Sequence, residues 1–384
     1  MGVVSTGLYG STDNLLSMPD GGLFVNLKPP RHGTMQIMRI PMSCIALLLL
    51  TFAAPILHAD DGAASIAAGG LVLMKREPRI TMAKEVLRIG LSKVVVDYEF
   101  RNDSDQDVTT VVAFPVPPYE FGTGERVFGN PGFDDFKLSI EGAPVQFKVE
   151  TRAFVGKREI TALLASEHID AASFGHTDLE TDQQPHDLDH SSAASRQKLL
   201  AAGAFEDMEP NWRVEKKYYW TQTFPARQTV HIRHSYSPVL GGTNSVSYGL
   251  QGKRKDPDEK YYVDEINSLC LEPQLRQRLL QLSQKKDMSV PFNYVDFILT
   301  TANTWKTPIE DFTLIVDRPT PDKSAVTKPL AVPRRNETLV SFCWNGPVQK
   351  TDSMHFTVHA TNFVPTKELR VGFISVDQTD PHSF

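Results

Sequence analysis

The sequence carries no excess of basic charge: 40 lysine and arginine residues stand against 46 aspartate and glutamate residues, for a formal net charge of −6 at pH 7. Such a chain offers no basic surface for nucleic acid or anionic lipid. It also lacks low-complexity tracts and repeats of fixed period, because its 24 glycines and 26 prolines are scattered as turn residues. With 41% hydrophobic and 22% charged residues over 384 positions, we expect a globular protein of two domains, or of one with a large insertion.

Common catalytic signatures are missing as well. No serine lies in a Gly-x-Ser-x-Gly elbow. Gly122 and Gly124 begin a glycine-rich pattern, but the later glycine and the helix that phosphate binding requires do not follow. The sequence therefore contains no motif that names a reaction, and it does not reveal a biochemical activity.

No uninterrupted apolar run approaches the ~20 residues that span a bilayer. In residues 39–59, RIPMSCIALLLLTFAAPILHA, a lone arginine precedes a short apolar core, Pro55 interrupts its end, and small or apolar residues lead to Ala59. This order is typical of a secretory signal that is cleaved after Ala59. We therefore expect an exported protein, periplasmic or secreted, whose mature chain begins at Asp60 and has no membrane span.

An export signal should begin a chain, yet other residues precede this one. The preceding segment, 1–34, has weak periodicity and many turn-forming residues. We interpret it as a mis-annotated extension, with translation starting at Met35 or Met38, or as a disordered one. We assign residues 35–59 to the signal and residues 60–68 to a linker.

The mature sequence alternates apolar and polar residues in short runs that are separated by turn residues. Such alternation predicts half-buried strands in antiparallel β layers of the sandwich type. The apolar faces of three such strands are Val94, Val96, Tyr98 and Phe100; Val230, Ile232, His234 and Tyr236; and Phe312, Leu314 and Val316.

The stretch YEFRNDSDQDVTTVVAFPVPP, residues 98–118, has an acidic centre with aspartate at 103, 105 and 107. A calcium loop of the helical-hand type needs glycine at its sixth position and glutamate at its twelfth. Counting from Asp103, those positions hold Val108 and Phe114. Short polar side chains of this kind bond nearby backbone amides in tight turns. We therefore predict a β-hairpin with an acidic tip rather than a metal loop.

Helical spacing interrupts the β pattern twice. Residues 156–211 predict a helical insertion, and residues 271–286 predict one amphipathic helix with proline in its first turn. The apolar stripe of the second helix is Leu275, Leu279 and Leu282. The fold class is therefore mainly β: sandwich-type antiparallel β layers with a helical insertion and one further amphipathic helix. We divide it into an N-terminal β-sandwich-like region, 69–250, and a C-terminal β region, 251–377.

The insertion contains the best candidate metal ligands. His186 and His190 are four residues apart, a spacing that would align them for zinc on a helix. No glutamate follows His186, however, and Pro185 and Asp187 suit a loop. Histidine and aspartate without a compact spacing are weak evidence for a metal site. We treat both histidines as weak candidates, favour a solvated acidic loop, and expect no bound metal and no cofactor.

Four aromatic residues form a candidate ligand or partner surface: Tyr218, Tyr219, Trp220 and Phe224. If their strand alternates, some of them face outward and could stack on sugars or partners. The alternative, which we favour, is that both faces of the strand are buried. His234 has two interpretations as well, a general base with a pKa near neutrality or a hydrogen-bonded histidine of the core.

Four stretches occur in a recognisable order: residues 98–118, YYWTQTFPARQTVHIRHSYSP, ILTTANTWKTPIEDFTLIVDRP and VSFCW. Together they resemble the bacterial exported proteins grouped as domain of unknown function 4424. The resemblance covers most of residues 65–375. It implies an envelope or secreted protein of mostly β structure, and it brings neither an established activity nor catalytic residues.

Export also bears on the cysteines. Cys270 and Cys343 remain after signal cleavage, and an even number in an exported chain predicts one disulfide. We interpret the protein as a non-enzymatic binding or assembly module whose partner is an envelope protein or a glycan. The alternative is a carbohydrate-active or metal-dependent hydrolase, which a pair of carboxylates roughly 5–9 Å apart in one cleft would favour.

Overall fold

A computed structural model describes residues 62–67, 70–73, 76–120, 133, 135–172, 192–206, 209–243, 246–252, 257–284, 288–319 and 337–378. The predicted extension and export signal lie outside these residues. All described residues belong to one compact unit, 56–384. None of its helices has the length and apolar character needed to cross a bilayer, as far as the chain is described.

Strands make up most of the regular structure, as the alternation predicts. They are β1 (Gly62–Ala67), β2 (Gly70–Leu73), β3 (Ile80–Ile89), β4 (Val94–Asn102), β5 (Val108–Pro115), β6 (Tyr119–Glu120), β7 (Lys137–Ile140), β8 (Ala143–Pro144), β9 (Lys148–Val155), β10 (Arg158–Glu159), β11 (Phe205–Glu206), β12 (Glu209–Pro210), β13 (Arg213–Phe224), β14 (Thr229–Tyr236), β15 (Gly241–Thr243), β16 (Met288–Ser289), β17 (Phe292–Phe297), β18 (Ile309–Asp317), β19 (Glu337–Phe342), β20 (Gln349–Lys350), β21 (His355–Phe363) and β22 (Leu369–Gln378). Strand β1 falls within the predicted linker.

Three sheets contain nearly all of these strands. A seven-stranded sheet has the order β10-β9-β13-β5-β1-β2, with β6 beside β13, and an eight-stranded sheet has the order β20-β21-β18-β3-β4-β14-β7-β8. A five-stranded sheet has the order β15-β17-β22-β16, with β19 beside β22. Most pairs are antiparallel, and β3 and β18 run parallel. The predicted mainly β fold of antiparallel layers is confirmed.

The two large sheets bury their facing sides against each other. Every member of the predicted apolar faces on β4, β14 and β18 is buried. Aromatic rings bridge the layers: Phe114 of β5 lies 4.3 Å from the His234 ring of β14, and Phe100 of β4 lies 5.8 Å from Phe224 of β13, between ring centroids. The hydrophobic core therefore lies between the sheets, because each strand presents one apolar face to it.

The predicted hairpin at residues 98–118 is wrong in its pairing. Strand β4 pairs with β3 and β14 in the eight-stranded sheet, whereas β5 pairs with β1 and β13 in the seven-stranded sheet. The turn between them therefore crosses from one layer to the other. Alternation shows that a strand has a buried face, but it does not identify the neighbouring strand.

A second crossing supports the first. Strands β13 and β14 also lie in different sheets, and their turn packs beside the acidic turn. The Asn102 backbone N–H donates to the Gln228 carbonyl at 2.9 Å, and the Asn102 side chain donates to the Phe224 carbonyl at 2.9 Å. Asp107 accepts a hydrogen bond from the Ala226 backbone N–H at 2.8 Å. The two crossings thus satisfy each other's backbone groups.

Five helices accompany the sheets in the described chain. They are α1 (Thr161–Ser166), α2 (Ala193–Ala201), α3 (Ser247–Gln251), α4 (Pro257–Ser268) and α5 (Pro273–Ser283), and a 3-10 helix covers Thr300–Thr304. The amphipathic helix predicted over 271–286 corresponds to α5, and α1 and α2 lie in the predicted insertion. Helix α4 was not predicted, because its sequence PDEKYYVDEINS buries only Val263 and Ile266 among its apolar residues.

Strands from the C-terminal part of the chain lie inside the eight-stranded sheet. Strand β18 is flanked by β3 on one side and by β21 on the other. Strands from both predicted regions thus share one sheet. The predicted boundary near residue 250 remains a prediction.

Candidate functional site

The outer face of the eight-stranded sheet, which points away from the seven-stranded sheet, carries a shallow groove. Its volume is about 430 Å³. The polar residues that line it are Lys84, Asp97, Glu99, Ser139, His231 and Arg233. They belong to β3, β4, β7 and β14, which are neighbours in the sheet, and they alternate with the buried residues of the same strands.

The floor of the groove holds two ion pairs between adjacent strands. Arg233 Nη1 lies 3.0 Å from Asp97 Oδ1, and Lys84 Nζ lies 3.8 Å from Glu99 Oε1. All four side chains are exposed, from 39% for Glu99 to 58% for Arg233. Pairs this open to water are weak, so a ligand can replace either partner at little cost.

One wall of the groove is the turn between β7 and β8. Glu141 and Gly142 both have positive φ, 48° and 76°, as a tight two-residue hairpin turn requires. For Glu141 this conformation is costly, because its side chain crowds the backbone. The Glu141 carboxylate accepts a hydrogen bond from the His231 backbone N–H at 2.7 Å, which lowers the pKa of Glu141 below its usual value. That contact holds the turn over the groove.

Polar and charged side chains continue across the outer face of the sheet beyond the groove. Asp311 of β18 stands beside Lys84, Lys84 beside Glu99, and Glu99 beside His231 in the strand registers. His359 Nε2 of β21 lies 2.9 Å from Asp311 Oδ1. Carboxylates therefore alternate with lysine or histidine side chains across five strands. Such a surface matches a polar partner that presents both donors and acceptors.

The spacing of the groove carboxylates bears on the hydrolase alternative. Asp97 and Glu99 are two residues apart on one face of β4, a Cα separation of roughly 6.6 Å from ordinary strand geometry. Each carboxylate is already next to a cation, Arg233 or Lys84.

The predicted disulfide is present. Cys270 and Cys343 are bonded, with 5.0 Å between their Cα atoms and a sequence separation of 73. Cys270 follows helix α4 and Cys343 follows strand β19, so the bond ties the helical segment to the five-stranded sheet. It lies outside the groove.

Three of the four aromatic candidates are buried. Tyr218, Trp220 and Phe224 are 2%, 4% and 0% exposed. Tyr218 stacks on Phe136 at 4.1 Å between ring centroids. Tyr219 alone is half-buried. The three buried rings lie on the side of β13 that faces the core, whereas Thr221 and Thr223 on its other side are exposed. The ligand or partner surface stays a prediction.

His234 is also part of the core. It is 1% exposed, and its ring centroid lies 4.3 Å from that of Phe114 and 5.4 Å from that of Phe136. No solvent reaches the imidazole at that exposure. The core interpretation of this histidine therefore fits its position.

The acidic turn binds protein groups rather than presenting free carboxylates. Asp103 contacts Lys306 at 2.8 Å and Arg101 at 2.7 Å and accepts from the Thr81 hydroxyl at 2.7 Å. Burial opposes the charge of Asp103, but these donors outweigh it and hold its pKa well below the usual range. Asp105 pairs with Arg227 at 2.7 Å. The aspartates of the turn thus bind side chains of neighbouring segments and connect those segments to one another.

The weak metal candidates, His186 and His190, lie outside the described residues. Within those that are described, no group of three or more histidine, cysteine, aspartate or glutamate residues could hold a metal ion. The expectation that the fold needs no metal remains a prediction.

The groove itself was missed at the sequence level. Alternation placed Asp97 and Glu99 on the polar side of one strand, and His231 and Arg233 on the polar side of another. It did not show that β4 and β14 are neighbours. The available signal was a pair of opposite charges, Asp97 and Arg233, on the polar faces of two strands that each adjoin a turn.

Comparison with known proteins gave three findings. A family model described as "Domain of unknown function (DUF4424)" matches residues 59–371. No curated protein matches the chain. Among solved structures, the chain is similar to a Legionella pneumophila protein named "putative nutrient binding protein", with 15% sequence identity and a TM-score of 0.34, over 78% of this chain and 68% of that one. A likeness of that size supports no statement about function.

Proposed function

We propose that this chain, which belongs to the family described as domain of unknown function DUF4424, is an exported bacterial envelope protein that acts as a non-enzymatic binding or assembly module. The observation that carries the proposal is the groove on the eight-stranded sheet, whose polar side chains are fixed on neighbouring strands. Side chains held on a rigid sheet bind a partner without first being ordered. The same groove is open to water, whereas electrostatic catalysis needs a site from which water is excluded.

The chemistry of the groove favours a peptide segment of an envelope protein over a glycan. Its lining carries lysine, arginine and histidine together with aspartate and glutamate. The lining contains no phenylalanine or tryptophan, and its one tyrosine, Tyr98, is 1% exposed and so offers no platform for a sugar ring. A peptide supplies backbone donors and acceptors along with side chains of both charges.

Two features support export. Residues 39–59 have the order of a cleavable secretory signal. The Cys270–Cys343 disulfide suits an oxidising compartment.

The binding proposal is tested on protein purified without denaturation from the periplasm of its own host. Native mass spectrometry is expected to find a bound partner, and the groove double variant Asp97→Ala with Arg233→Ala is expected to lose it. The matched control is Arg88→Ala with Asp317→Ala, another Arg–Asp pair on this sheet, 2.6 Å apart and outside the groove. A partner that survives the groove variant, or its absence from the unaltered protein, would refute the proposal.

Export is tested separately by N-terminal sequencing of the protein recovered from the periplasm or the medium. We expect the mature chain to begin at Asp60. Soluble cytoplasmic protein with an intact Met1 would contradict this expectation without touching the groove.

The hydrolase alternative is tested through Asp97 and Glu99, whose strand spacing is the observation in its favour. If these carboxylates catalyse, Asp97→Asn and Glu99→Gln would each abolish turnover of a glycoside substrate while partner binding persists. Binding without any turnover in the unaltered protein would instead favour the module.

A further inference from the structure

Strand β21 forms an open edge of the eight-stranded sheet over most of its length. On one side it pairs with β18 at residues 355–361 and again at Phe363, and Asn362 between them has a φ of 50°. On the other side β20 covers only residues 356 and 357. Within the described part of the chain, residues 358–363 therefore have a strand on one side and none on the other.

The direction of the backbone groups along this edge follows from two hydrogen bonds. Arg318 N–H donates to the Met354 carbonyl on the β18 side, and Thr351 N–H donates to the His355 carbonyl on the β20 side. Because successive residues of a strand point their N–H and C=O groups to opposite sides, His359 and Thr361 point theirs to the open edge. These groups are available to another strand.

Among the described residues, β9 has another open edge, and this edge illustrates how a strand is protected from pairing with other chains. Strand β9 pairs with β10 only at residues 154 and 155. Its remaining edge carries Lys148, Glu150 and Arg152, and charged residues are how edge strands avoid pairing with other chains. The edge segment of β21, VHATNF, contains no lysine, arginine, aspartate or glutamate.

The β21 edge is also self-complementary. In an antiparallel pair centred on Ala360, His359 of one copy lies opposite Thr361 of the other, so both outward residues form hydrogen-bonded pairs. The same arrangement on β9 would set Lys148 opposite Arg152, and like charges directly opposite each other are destabilising. Pairing of β21 around Ala360 brings no like charges opposite each other, since the segment carries no charged residue other than its histidine.

Apolar side chains near the segment add a reason for it to be covered. Val348 and Val364 are 43% and 50% exposed. Trp344 and Phe363 are half-buried, with 5.2 Å between their ring centroids. Exposed apolar groups next to a free strand edge are typical of an interaction surface.

We propose that β21 pairs with β21 of a second copy of this chain, so that two eight-stranded sheets join in one continuous sheet across a two-fold axis at Ala360. The pairing is isologous, because each copy contributes the same edge. It leaves the groove over β3, β4 and β14 accessible, since the groove lies on the face of the sheet and not at this edge.

The first test is analytical ultracentrifugation of the exported protein over a wide concentration range. We expect a monomer–dimer equilibrium, and we expect Thr361→Pro to weaken it by about tenfold or more, because proline removes an outward N–H from each copy. The control Thr361→Val keeps the N–H and should keep the dimer. Proline at 361 does not remove a bond to β18, since that N–H points outward. A protein that stays monomeric at all concentrations, or a dimer that tolerates Thr361→Pro, would overturn the proposal.

The second test does not depend on how Thr361→Pro folds. Two Ala360 residues at the axis form a non-hydrogen-bonded pair with Cα atoms about 4.5 Å apart, which is within the range that a disulfide bridges. Ala360→Cys should therefore yield a covalent dimer on mild oxidation. Val149→Cys, at an exposed position on the β9 edge, should not. Failure of Ala360→Cys to cross-link, or equal cross-linking of both variants, would count against β21 pairing and leave the groove proposal unaffected.

Discussion

The outer faces of the two large sheets carry the same kinds of side chains in different surroundings. On the seven-stranded sheet, Lys217 Nζ lies 3.2 Å from Glu150 Oε2, and the two side chains are 6% and 18% exposed. On the eight-stranded sheet, Arg233 Nη1 lies 3.0 Å from Asp97 Oδ1, and these side chains are 58% and 44% exposed. The geometry of the two pairs is similar, so their difference in exposure decides what each can do.

Exposure separates structural charges from available ones. A buried ion that loses its partner keeps its full desolvation cost, whereas an exposed ion is solvated again by water. The Lys217–Glu150 pair therefore stabilises the fold and cannot exchange its partner for a ligand. The Arg233 pair can exchange its internal partner for a ligand, which is why the candidate site lies on the eight-stranded sheet.

The largest effect that tests this comparison is the loss of Lys217. We expect Lys217→Ala to lower the free energy of unfolding by about 3–5 kcal/mol, because Glu150 loses this partner while its charge stays largely buried. Urea unfolding curves measure it. In the control, Lys217→Met with Glu150→Leu, both charges are gone and most of the stability should return. If the single and double variants were equally stable, the Glu150 charge would carry no desolvation cost in the absence of Lys217, which would contradict this prediction.

The disulfide tests whether the solvent exposure of a group alone determines how much that group contributes to the free energy of unfolding. Cys270 and Cys343 are both exposed, yet the bond acts by restricting the unfolded chain, so its exposure should not weaken it. For a sequence separation of 73 between the cysteines, Cys270→Ala with Cys343→Ala should lower the free energy of unfolding by about 4 kcal/mol on the loop-entropy model. Denaturation of oxidised and reduced protein provides the same comparison without substitution.

A matched variant isolates the backbone at Cys270, whose φ is 50°. Glycine adopts that conformation without strain and alanine does not. Cys270→Gly with Cys343→Ala should therefore be more stable than the double-alanine variant by about 0.5–1 kcal/mol. The reverse order would show that Cys270 is relaxed in this conformation.

Asp103 is intermediate in exposure between the Lys217 pair and the Arg233 pair. Its side chain is 23% exposed, and it has two cationic neighbours. Its pKa is lowered in the folded state, so its stabilising contribution is complete above its unfolded pKa of about 3.9 and is lost as the pH falls through the lower folded value. We expect Asp103→Asn to cost about 1.5–3 kcal/mol near neutral pH. The difference between variant and unaltered protein should shrink below about pH 4, as the aspartate is protonated. A difference that does not change with pH would contradict this contribution.

The smallest effect is expected on the exposed face. Arg233→Ala should change the free energy of unfolding by about 0–1 kcal/mol, because both groups of that pair are well solvated. The expectation is checked by the same urea curves as Lys217→Ala. A loss as large as that of Lys217→Ala would remove the distinction between the two faces.

Several local features were predictable because they depend on neighbours in sequence. The buried faces of β4, β14 and β18 follow from alternation, and helix α5 follows from its leucine spacing and its first-turn proline. Helix α4 was not predictable from periodicity, because tertiary contacts with α3 fix it. Gly249 of α3 lies so close to α4 that a Cβ there would be 2.4 Å from the Tyr262 carbonyl. The pairing of Cys270 with Cys343 was predictable because the third cysteine, Cys44, lies in the predicted export signal.

The sequence by itself determined which residues of each strand face the core and where the turns lie, since periodicity and turn chemistry are properties of the chain alone. The tertiary structure decided the rest. It placed β4 and β5 in different sheets, joined β3 to β18 in parallel, buried Lys217 and left Arg233 exposed. The reason is that strand neighbours and burial depend on contacts between distant segments, whereas a polar face looks the same in sequence whether water or protein covers it.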